Sequence, residues 1–138
     1  MDLNSKRILV VGGSGVLGGE ITRILSSKGA EVLATASSAD SANRIPQEAK
    51  LRLLVDLNDS ASIRVLTDYL AATEQLDGLI VAAGRVGFGV AAETPVEQAS
   101  ALSQLNFLGP VQLLTALAPS IKGREDAFVA AITGVVAE

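Results

Sequence analysis

Short unbroken apolar runs alternate along this chain with longer stretches whose apolar residues recur three and four apart, so strands and helices are predicted in turn. The first run, Ile8-Leu9-Val10-Val11, is rich in β-branched residues and suits a central strand covered on both faces. It stops at Gly12-Gly13-Ser14-Gly15. Val16, Leu17, Ile21, Ile24 and Leu25 then mark a helix to about Lys28, with Gly29 placed to end it. Glu31 to Thr35 predicts a second strand, Leu51 to Val55 a third, and Asp77 to Gly84 a fourth that runs into a glycine turn. Ala127 to Ile132 predicts a fifth. Asp40 to Ala49 is polar and contains Pro46, leaving room for a short helix at most. Ser60 to Thr73 predicts a helix with Ile63, Leu66, Leu70 and Val65 turned inward. Thr94-Pro95-Val96-Glu97 has the marks of a helix start, with threonine as cap and proline at the first helical position. That helix runs through Leu102 and Leu105 and should kink or break near Asn106 to Gly109, because Pro110 removes a backbone hydrogen bond. A second piece follows over Val111 to Ile121. Strands alternating with helices give an α/β fold with a parallel sheet.

Composition changes this picture mainly by exclusion. The 138 residues suit one domain, and 49% hydrophobic against 19% charged residues describes a folded core. Aromatic residues are only 3%, so that core must be built from Val, Leu, Ile and Ala. The net charge of −4 and the lack of a basic stripe argue against nucleic acid. With no cysteine and no histidine, disulfides, thiolate metal sites and Ser-His chemistry are out of reach, and no metal site is expected. MDLNSKR precedes only a short strand, so no leader is read there, and no apolar run approaches membrane-spanning length. The expected location is the cytoplasm.

Candidate chemistry begins at the spacing Gly12-x-x-Gly15-x-x-Gly18. Gly12 takes the tight turn off the strand, Gly15 lets the backbone approach a pyrophosphate, and Gly18 lets the helix pack closely on the sheet. With Ser14, Val16 and Leu17 they form the candidate phosphate grip, because free N–H groups at a helix start attract an anion. The alternative is a tight strand-to-helix turn in a doubly wound protein that binds no dinucleotide.

In NAD-preferring proteins an acidic residue about 20 positions past the glycines holds the adenosine ribose. Here that region reads Thr35-Ala36-Ser37-Ser38, with no carboxylate before Asp40. Ser37 and Ser38 can donate to a 2′-phosphate, and Arg44 can add charge if its loop folds back. This favours NADP and leaves NAD open, while the same serines also suit a solvated turn. Asp56 and Leu57 end the third strand, where Asp56 can accept from the adenine amino group. Alternatively Asp56, Asn58, Asp59 and Ser60 only cap the next helix, and Asp59 or Ser60 caps it in either case. Ala82, Ala83 and Gly84 end the fourth strand beside the first, where the nicotinamide ribose would pass. Tyr69, the lone tyrosine, reads as a partly buried packing residue.

Gly12, Gly15 and Gly18, Asp56-Leu57, Val81-Ala-Ala-Gly84, Asn106 and the run Phe128 to Thr133 together resemble the N-terminal half of a short-chain dehydrogenase/reductase, over nearly the whole chain. The resemblance implies a Rossmann-like doubly wound parallel sheet of about five strands in the order 3-2-1-4-5. It also implies hydride transfer between NAD(P) and a small alcohol or carbonyl. Asn106 resembles the asparagine whose helix break holds a water in the family's proton relay. The helix from Pro95 onward resembles one that forms subunit contacts. With an open edge at the fifth strand, a homodimer or larger oligomer is expected.

The departures carry equal weight. Val11 stands where the family usually has threonine, and the N-N-A-G turn is Val81-Ala82-Ala83-Gly84 here. The I-S-S run that holds the catalytic serine is Ile132-Thr133-Gly134, so Thr133 can substitute only with a shift of register. The Tyr-x-x-x-Lys pair is absent, since Tyr69 has Thr73 four residues on. That pair matters because an unperturbed tyrosine, with a pKa of about 10, stays protonated at neutral pH. Residues 1–138 are therefore expected to form a single dinucleotide-binding domain that stops after its fifth strand. The expected parent is an NADP-type oxidoreductase, inactive as this half. The alternative is a non-catalytic dinucleotide-binding or interaction module.

Overall fold

In the computed structural model, which describes residues 1–73 and 75–133, the apolar run Arg7–Val11 forms β1 at the centre of a five-stranded sheet. Around it lie β2 (Glu31–Ala36), β3 (Leu51–Leu54), β4 (Gly78–Val81) and β5 (Phe128–Ala131). All pairings are parallel and the order is β3-β2-β1-β4-β5, as the resemblance implied. The connections carry α1 (Val16–Ser27), α2 (Ala39–Ala42), α3 (Ser60–Thr73), α4 (Val96–Ser103) and α5 (Gly109–Ile121). A π-helical turn, Gln104–Leu108, joins α4 to α5.

Alternation along each strand divides the core into two layers. Leu9, Val11, Leu33, Leu79 and Val81 face α3 and α5, meeting Ile63, Leu66, Leu70, Leu113 and Leu117. Ile8, Val10, Val32 and Ile80 face the other way, onto Leu25 and Ile21 of α1. Ala34 and Ala36 continue that side onto Ile45. Among the described residues, no helix is long and apolar enough to cross a membrane.

Local chemistry sets the ends of the elements. α1 stops in a Schellman motif, with Gly29 at φ +85°, its N–H on Ser26 O and the Ala30 N–H on Leu25 O. Asp59 caps α3, its Oδ1 accepting the Ala61 N–H at 2.9 Å. Three expectations fail. Val65 is 72% exposed, because the inward stripe of α3 is phased on Ile63, Leu66, Thr67 and Leu70. Tyr69 lies outward too, 40% exposed. Thr94 does not cap α4; its hydroxyl donates back to Val90 O, and Pro95 holds the cap position without a side-chain bond.

The rim of the sheet at the strands' amino ends is tied by two carboxylates. Glu31 accepts from Arg7 and pairs with Lys50 at 2.7 Å, joining β1, β2 and the approach to β3. Lys50 first, and Arg7 next, hold its carboxyl below the usual value. Asp77, with its side chain 8% exposed, accepts from the Arg7 backbone N–H at 2.8 Å and from Arg124 at 2.7 and 2.9 Å. Lys6 lies 4.0 Å away. Asp77 thus links β1, β4 and the turn before β5.

Candidate functional site

The opposite rim, at the strands' carboxyl ends, opens into a cavity of about 490 Å³. In doubly wound sheets the crevice at this rim is where ligands bind. Gly12, Ser14 and Gly15 line it from the turn after β1, and Thr35, Ala36 and Ser37 from the end of β2. Asp56, Leu57 and Asn58 line it from the loop after β3, and Ala82, Ala83, Gly84 and Arg85 from the loop after β4. Four loops distant in sequence converge because the strands are parallel and in register.

At Gly12 and Gly18 the turn after β1 has the geometry that the spacing predicts. Gly12 has φ +90°, and a Cβ there would lie 2.8 Å from Ala83 N, so only glycine lets the turn pass β4. Gly18 is buried behind the turn, where a Cβ would sit 2.2 Å from Gly12 O. This close approach seats α1 directly on the end of β1. No side chain caps α1, whose N-cap is Gly15, and no acidic residue occupies its first turn. Its leading N–H groups and positive dipole end are therefore arranged for an anion. The cradle fits a pyrophosphate.

Thr35 was not foreseen. It is buried, and its hydroxyl accepts the Gly12 N–H at 3.1 Å, locking the turn to β2. The only signal available was a hydroxyl residue at the end of the second strand. Arg85 also lines the cavity without a motif to announce it.

The two serines after β2 part company. Ser37 lines the cavity. Ser38 caps α2 in a reciprocal box, accepting from Ser41 N–H while its own N–H donates to Ser41 Oγ. The hydroxyl of Ser38 is thereby committed to the turn. Arg44 does fold back: it lines the cavity and a smaller hollow shared with Ser14, Gly15 and Arg23. Arg23 pairs with Glu20, and Arg44 makes no ion pair with a described residue. Asp56 caps nothing in α3; Oδ1 accepts the Asn58 N–H at 2.9 Å within its own turn.

Val16 and Leu17, the first residues of α1, are exposed and do not line the main cavity. Asn106 lies in the π turn, where the break in the helix was expected, and does not line the cavity either. Its Oδ1 accepts the Arg85 N–H at 2.9 Å and its Nδ2 donates to Arg85 O at 2.7 Å. Thr133 is exposed just beyond β5 and is not among the lining residues, while Gly134 lies outside the described residues.

A family model described as short chain dehydrogenase matches residues 6–138. Over 104 residues the chain is 35% identical to the polyketide synthase GfsB of Streptomyces halstedii, covering 68% of this chain and 2% of that protein. It is 34% identical over 106 residues to the cyclic-di-GMP-binding biofilm dispersal mediator protein of Escherichia coli (strain K12), covering 76% of this chain and 44% of that one. The chain thus spans less than half the length of either relative. Among solved structures it is similar to a blue fluorescent protein from a metagenomic library in complex with NADPH. The identity there is 27% and the TM-score 0.78, over 88% of this chain and 53% of the other.

Proposed function

This chain belongs to the short-chain dehydrogenase family, and we propose that its residues form the NADP(H)-binding part of an oxidoreductase acting on a small alcohol or carbonyl. The observation that carries this reading is the convergence of the Gly12-Ser14-Gly15 turn, Ser37 and the Asp56-Leu57 loop on one cavity. When bound, the cofactor supplies or takes up the hydride. The uncapped start of α1 receives the pyrophosphate, the loop after β3 borders the adenine, and Ala82 to Arg85 border the nicotinamide ribose. Arg44 and Ser37, with no carboxylate before Asp40, select the 2′-phosphate of NADP.

Titration by nicotinamide fluorescence tests this. NADPH should bind at least tenfold more tightly than NADH, and Arg44→Glu should abolish or reverse the preference. Equal affinities in the wild-type chain would refute the NADP assignment, and no binding of either would refute the cofactor reading.

These 138 residues should bind without turnover. The lone tyrosine, Tyr69, is on the outer face of α3 and does not line the cavity. This favours, as the second reading, a binding module in which the cofactor is a ligand only. Turnover of any carbonyl by this chain would exclude it. The reading extends to self-association, supported by exposed Phe88, Phe107, Leu108 and Val111 around α4 and α5.

A further inference from the structure

The π turn Gln104–Leu108 touches two of the loops that bound the cavity and lends Leu105 to its lining, although Gln104 and Asn106 do not line it. On one side Gln104 Nε2 donates to Leu57 O at 3.1 Å. Gly109, immediately after the turn, backs onto the same carbonyl: a Cβ there would lie 2.4 Å from Leu57 O and 2.9 Å from Leu57 Cβ. On the other side Asn106 grips the Arg85 backbone through both ends of its amide. Leu57 and Arg85 belong to the loops after β3 and β4, the outer two of the four strand-end loops that line the cavity.

The turn has a geometric reason to be π-helical. One extra residue in a helical turn rotates everything beyond it by about 100° relative to an uninterrupted α-helix. With that rotation, Gln104 and Gly109 meet Leu57 while Leu113, Leu117 and Ile121 of α5 still face the core. Without it, either the polar grips or the apolar stripe would be turned away.

We propose that this π turn is a brace that sets the separation of the two cavity walls, and that Gln104 is the positioning residue for the wall formed by Asp56, Leu57 and Asn58. The ligand part of the proposal rests on the cofactor reading above. The brace itself does not.

The test uses the 138-residue chain with two substitutions. Gln104→Met keeps the length of the side chain and removes the donor; Asn106→Leu releases Arg85. In ligand-free protein, hydrogen exchange at the Asn58 and Asp59 amides should quicken about fivefold in Gln104→Met, the loss expected for one hydrogen bond, with Arg85 unaffected. Asn106→Leu should give the reverse pattern. With ligand, Gln104→Met should weaken adenosine 2′,5′-bisphosphate and NADPH by the same factor, about fivefold. Asn106→Leu should weaken NADPH more than the bisphosphate. Unchanged exchange at residues 58 and 59, or equal weakening of both probes by both variants, would overturn the brace. If Gln104→Met does not fold, Gln104→Glu, which sets a second acceptor against Leu57 O, must reproduce the pattern. A wild-type chain that binds neither probe overturns the cofactor reading, and the exchange pattern alone then decides the brace.

Discussion

Replacing Asp77 by alanine should destabilise the fold strongly while leaving the cavity of the folded molecules intact. The carboxylate lies at the amino-end rim of the sheet, opposite the cavity, and accepts the Arg7 N–H at 2.8 Å and two Arg124 N–H groups at 2.9 and 2.7 Å. Removing one member of a buried ion pair typically costs about 3–5 kcal/mol. Arg124 is 34% exposed and can recover hydration, which brings the ion-pair part down to about 1 kcal/mol. The Arg7 amide loses its acceptor in a part-buried position, a cost of about 1–3 kcal/mol. Together these give about 2–4 kcal/mol, or a fall in Tm of roughly 10 °C for a domain of this size.

The same carboxylate makes stability depend on pH. Burial raises the Asp77 pKa, but the Arg7 N–H, the Arg124 hydrogen bonds and the charges of Arg124 and Lys6 outweigh it, so the folded value is depressed. A depressed acid pKa gives stability that is present above the unfolded value of about 3.9 and is lost as pH falls through the folded value. Urea unfolding of the wild type and Asp77→Ala between pH 7 and pH 3 should therefore show curves that converge on the acid side. Parallel curves, or a loss below 1 kcal/mol at pH 7, would refute the reasoning. NADPH affinity measured on folded Asp77→Ala should match the wild type, since no cavity residue contacts Asp77 among its hydrogen bonds.

Gly18→Ala should destabilise by about 1–3 kcal/mol despite alanine's better helix propensity, because its Cβ would press on Gly12 O; a neutral result in urea would contradict the close packing of α1. Leu117→Ala, at a fully buried position of α5, should cost about 2–5 kcal/mol by thermal or urea unfolding, and a loss under 1 kcal/mol would mean that the α5 layer is looser than described. Phe107→Lys, on a side chain 65% exposed, should shift the chain toward monomer in light scattering with little change in Tm; a monomeric wild type would end the association proposal.

The sequence by itself determined the elements whose causes are local. The β-branched run Ile8 to Val11, the glycines behind it and the Gly29 stop specify β1, its turn and α1 without help from distant residues. The bounds of α3 were legible for the same reason, and so was an irregularity near Asn106, although it begins at Gln104, before Leu105. Tertiary structure decided whatever depends on which neighbour wins. Periodicity allowed Val65 to face inward, but the sheet packs on the Ile63, Leu66 and Leu70 stripe and leaves it in water. The break was legible from Pro110, yet its π geometry follows from the contacts of Gln104 and Gly109 with Leu57, far away in the chain. Ser37 and Ser38 are chemically identical; only folding assigns one to the cavity and the other to capping α2. Arg44, Thr35 and Arg85 join the site, and Asp77 finds Arg124, because parallel strands bring separated loops to common rims. A one-dimensional pattern records the period of burial but not the partner across the gap, and hydrogen bonds between loops belong to the partner.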